Sequence, residues 1–60
     1  MEATYIKTMD FTFENVSILN ASNESELANL IKEGKVIKIN NFGAIEYINS
    51  NYIMFYQLRR

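Results

Sequence analysis

The chain has no cysteine and no histidine. Together these absences exclude disulfides, zinc sites of the usual kind, and every Ser-His, Cys-His or Cys-Cys catalytic arrangement. They also remove the commonest general base. Glycine occurs only at Gly34 and Gly43, too few for phosphate-cradling or dinucleotide-binding loops, which need several glycines at fixed spacing. No acidic pattern resembles a calcium loop. No apolar run approaches the roughly 18 residues that span a bilayer, and the opening Met-Glu-Ala-Thr-Tyr has neither the basic segment nor the apolar core of a signal peptide. The expectation is a cytoplasmic chain with no cofactor, no small-molecule substrate and no membrane partner.

The 60 residues present make a single domain, residues 1–60, and leave no room for a second. A domain of this size buries only about 60% of the surface its unfolded chain exposes. Small domains usually add disulfides, a metal or a partner subunit to make up the shortfall. With the first two excluded, self-association is the expected supplement. The hydrophobic fraction of 48% and charged fraction of 22% are ordinary for a globular protein.

The net charge of −1 favours neither a nucleic-acid binder nor an acidic mimic of one. The charges are nonetheless uneven. Residues 1–33 hold Glu2, Asp10, Glu14, Glu24, Glu26 and Glu33 against Lys7 and Lys32. Residues 34–60 hold only Glu46 against Lys35, Lys38, Arg59 and Arg60. Either the basic half forms a nucleic-acid surface or the two halves fold against each other, and the low total charge favours the second. Asn-x-Ser sequons at Asn15, Asn20 and Asn23 need a secretory route to be glycosylated, so they are read as chance. The bias towards Asn, Ile, Lys, Tyr and Phe matches AT-rich coding, in the style of short proteins from phages and mobile elements.

From Tyr5 to Phe13 the apolar Tyr5, Met9, Phe11 and Phe13, with Lys7 the exception, alternate with Thr4, Thr8, Asp10, Thr12 and Glu14. That period of two predicts a half-buried strand. Val16, Ile18 and Leu19 extend it or form a second one. A helix is expected at about residues 24–33. Asn23 with Glu26, or Ser22 with Ser25, fits an N-cap, and only the first supplies an acidic partner three residues on. Glu24 and Glu26 suit the first turn, and Leu27, Ala28, Leu30 and Ile31 form an apolar stripe. Gly34 suits the position just past the helix end.

The remaining residues read as a three-stranded meander. Lys35–Asn40 and Ala44–Asn49 flank a three-residue loop, Asn41-Phe42-Gly43, with Gly43 at the left-handed third position. This register sets Lys38 opposite Glu46, a favourable charge pair; a two-residue loop that set Ile37 against Glu46 would be worse. Ser50-Asn51 then turns the chain into Tyr52–Leu58. One face of the meander carries Ile37, Ile39, Ile45, Tyr47, Tyr52, Met54, Tyr56 and Leu58 and is expected to pack on the helix. The other gathers Val36, Ile48, Ile53 and Phe55, which one helix cannot also cover. A one-residue slip would exchange the faces.

The expected fold class is α+β: a small antiparallel sheet with one helix packed on one face, in the order β(β)-α-β-β-β. Asp10 and Glu14 are the one carboxylate pair on a common strand side, and Thr8 and Thr12 beside them mark a solvated surface. No residue is nominated as catalytic, cofactor-binding or metal-ligating, and the chain is not expected to be an enzyme. The expected function is a protein-interaction module, a homodimer first, through Val36, Phe42, Ile48, Ile53 and Phe55. An exposed apolar cluster of this kind is seldom left uncovered. The Pro-free terminal strand would invite pairing, with Arg59 and Arg60 as charged gatekeepers. Its role would be that of an accessory, regulatory or inhibitory protein acting on a larger one. The alternative is a small nucleic-acid-binding regulator that uses the basic C-terminal half, with Phe55, Lys38, Arg59 and Arg60 as its surface.

Overall fold

In the computed structural model, which describes residues 1–59, two strands precede the helix and three follow it: β1 Glu2–Thr8, β2 Thr12–Ile18, α1 Glu24–Lys32, β3 Val36–Asn41, β4 Ala44–Asn49 and β5 Ile53–Leu58. All pairings are antiparallel, in the order β4-β3-β2-β1-β5. This is the expected α+β class, with α1 packed chiefly against β3.

Residues 4–19 resolve into two strands joined by a turn that carries no glycine. Thr8 closes it: its hydroxyl donates to the Phe11 carbonyl and accepts from the Phe11 N–H, both at 3.0 Å. The simple alternation expected here fails at one rung. Asn15 has φ 53° inside β2, and Thr4 is an extra residue of β1 where Ala3 pairs Leu58 and Tyr5 pairs Gln57. Such an irregularity flips the side-chain phase. Ala3 and Ile6 therefore both point inward, as do Val16 and the partly buried Phe13. Tyr5, expected in the core, lies only partly covered.

The helix forms where its caps predict. Asn23 Oδ1 accepts the Glu26 N–H at 2.9 Å, and the Glu26 carboxylate reaches back to the Ser22 N–H at 2.6 Å. At the other end Gly34, at φ 69°, donates to Ile31, while Lys35 donates to Leu30. These two bonds satisfy carbonyls that the last turn leaves open. Leu27 is the fully buried residue of the apolar stripe, with Leu30 and Ile31 packed beside it.

The β3–β4 hairpin departs from the expected register. Its loop has two residues, Phe42 at φ 53° and Gly43 at φ 90°, the backbone of a type I′ turn. Asn40 Oδ1 accepts the Gly43 N–H at 2.7 Å and ties it. The shift of one residue pairs Lys38 with Tyr47, Ile39 with Glu46 and Ile37 with Ile48. The faces of β4 are consequently reversed: Ile48 is buried, whereas Ile45 and Tyr47 face outward.

The expected meander also ends at β4. Instead of turning back beside it, the chain makes a 3-10 turn at Ser50–Tyr52, and β5 pairs with β1 at the far edge. Five flat strands about 4.8 Å apart would separate the two edges by about 19 Å. Four residue steps from Asn49 to Ile53 reach at most about 15 Å, and less when coiled. The sheet must therefore roll so that the end of β4 approaches the start of β5. Its concave side encloses Ala3, Ile6, Val16, Ile18, Ala21, Leu27, Ile37, Ile39 and Ile48.

One buried polar atom is unmatched. Among the described residues, Ser50 Oγ is enclosed without a hydrogen-bond partner. An orphaned hydroxyl costs on the order of 1–3 kcal/mol. Ser50→Ala should therefore raise stability by about 1 kcal/mol, measured as a higher urea midpoint at unchanged slope; a lower midpoint would show that the hydroxyl is satisfied.

Candidate interaction surface

Among the described residues, ten large apolar side chains stand exposed: Met9, Phe11, Leu19, Val36, Phe42, Ile45, Tyr47, Tyr52, Met54 and Phe55. A loose chain does not explain them. The accessible surface is 3992 Å², close to the roughly 4,000 Å² that size scaling gives a compact protein of this mass.

Four of the ten lie on one hairpin. On the outer side of β3 and β4, Tyr47 stands opposite Lys38 and diagonal to Val36, with Ile45 two residues along the same strand. Diagonal neighbours of this kind lie within reach of an aromatic side chain. Phe42 occupies the tip and is 84% exposed. On the inner side Glu46 is held by Asn41 Nδ2 at 2.9 Å. An inward-pointing charge on an edge strand discourages indiscriminate strand addition, which leaves the outer face as the more accessible contact.

The residues expected to form one contact are dispersed. Val36 and Phe42 belong to this hairpin. Ile48, 5% exposed, is core, because the two-residue turn moved it inward. Ile53 packs against the core at the start of β5. Phe55 lies outward on β5, with β1 and β2 between it and β3, and its ring meets Tyr5 edge-on at 5.7 Å. The hairpin residues Ile45 and Tyr47 were assigned to the core by the sequence; only the turn type, set by Phe42 in the left-handed region, reveals them as surface.

No family model, curated protein or solved structure matches this chain. The surface must therefore be interpreted from its own chemistry.

Of the basic residues expected beside Phe55, Lys38 is separated from it by β2 and β1, while Lys7 of β1 stands directly opposite it. Lys38 is on β3, Phe55 on β5, and the Arg59 guanidinium donates to Asn15 Oδ1 at 2.8 Å. Arg60 lies outside the described residues. Asp10, in the β1–β2 turn, and Glu14, opposite Tyr5 on β2, are both exposed. The sequon asparagines each have a structural task. Asn15 holds Arg59, Asn23 caps α1, and Asn20 bonds the Val36 carbonyl and the Lys38 N–H, both at 2.9 Å. No helix among the described residues is long and apolar enough to cross a membrane.

Proposed function

We propose that the protein is a non-enzymatic interaction module that associates with a second copy of itself through the outer face of the β3–β4 hairpin. Val36, Phe42, Ile45 and Tyr47 are the contact residues. The observation that carries this reading is Phe42. A bulky side chain in the left-handed region costs about 1–2 kcal/mol, and Asn is the residue that the first position of this turn favours. The chain instead holds an aromatic there, strained and almost wholly solvent-facing. Strain retained at an exposed tip is characteristic of a contact site, and aromatics are enriched where interfaces bury their centres. By assembling or by engaging a larger protein through the same face, the module would act as a cytoplasmic accessory or regulatory factor.

The test is Phe42→Asn, examined for stability and association together. Relief of strain should raise unfolding stability by about 0.5–1 kcal/mol. Sedimentation equilibrium over a concentration series should show weaker self-association in the same variant. Opposite signs are the signature of a residue kept for contact at the expense of stability. A variant that is stabilised yet associates like the native protein removes Phe42 from the contact. A native protein that stays monomeric throughout the series removes the homodimer.

A further inference from the structure

We draw no further inference here: the strongest candidate, the open groove between the start of α1 and the end of β5 lined by Thr4, Glu24, Tyr56, Gln57, Leu58 and Arg59, rests on a helix N-terminus, and no second observation in the structure points to a ligand there.

Discussion

Ile48→Ala should lower stability by about 2–5 kcal/mol, whereas Ile45→Ala, three residues earlier on the same strand, should change it by less than about 1 kcal/mol. The chemical change is identical in the two variants, so the difference reports burial alone. Ile48 sits opposite the fully buried Ile37, and its truncation opens a cavity in the core. Ile45 is 48% exposed and pairs with Asn40 on the outer face. A domain of this length has a total stability of about 3–9 kcal/mol, so Ile48→Ala approaches the limit of what the fold tolerates. Urea unfolding followed by circular dichroism measures both variants. Equal costs, or a larger one for Ile45→Ala, would falsify the two-residue turn and restore the register with Lys38 opposite Glu46.

Tyr47→Asp should weaken self-association by at least about tenfold, and Phe55→Asp should leave it unchanged. Truncating an aromatic near the centre of a contact commonly costs 2 kcal/mol or more, and each 1.4 kcal/mol is tenfold in affinity; a buried carboxylate adds a desolvation cost. The fold itself should survive. Tyr47 is 67% exposed and faces Lys38 across the hairpin, where an aspartate gains a cross-strand partner. Phe55 is the matched control, 52% exposed but on β5. If Phe55→Asp weakens assembly and Tyr47→Asp does not, the contact belongs to the β1–β5 surface and the hairpin is excluded.

The two variants also mark where the sequence was legible. The helix was, because its ends rest on local chemistry: Asn23 accepts from a residue three positions on, and Gly34 supplies a left-handed residue. The inward set of β3 was legible too, since Ile37 and Ile39 alternate plainly with Val36 and Lys38. The candidate contact was half legible. Val36 and Phe42 were on it, while Ile48, Ile53 and Phe55 were misplaced by two errors of different kinds.

The first error is a turn whose energetics contradict its composition. Gly43 fits the third position of a three-residue loop, and no propensity places phenylalanine in the left-handed region. The Asn40 side chain, bonded to the Gly43 N–H, stabilises what the backbone preference opposes. The second error is topological. Ser50-Asn51 has the polar character of a hairpin turn, yet Asn49 Oδ1 accepts the Asn51 N–H at 3.0 Å and starts a 3-10 turn. Nothing local to Tyr52–Leu58 says that its hydrogen-bond partner is β1. The same limit applied to β1 and β2, where no residue type signals the turn that Thr8 closes and Asn15 reverses the alternation.

The union of β5 with β1 also orders events in time. Ile6 and Tyr56 are paired across fifty intervening steps of chain, whereas the β1–β2 and β3–β4 hairpins close over short loops. Loop-closure entropy delays the distant pairing, and topologies rich in such pairings fold slowly. β5 should therefore dock after the hairpins, and Tyr56→Ala should accelerate unfolding far more than it slows folding in stopped-flow chevrons. Equal effects on both rates would place β5 in the nucleus. Until β5 arrives, the long edge of β1 stands unpaired, and during that interval the nascent chain is most open to aggregation through strand addition.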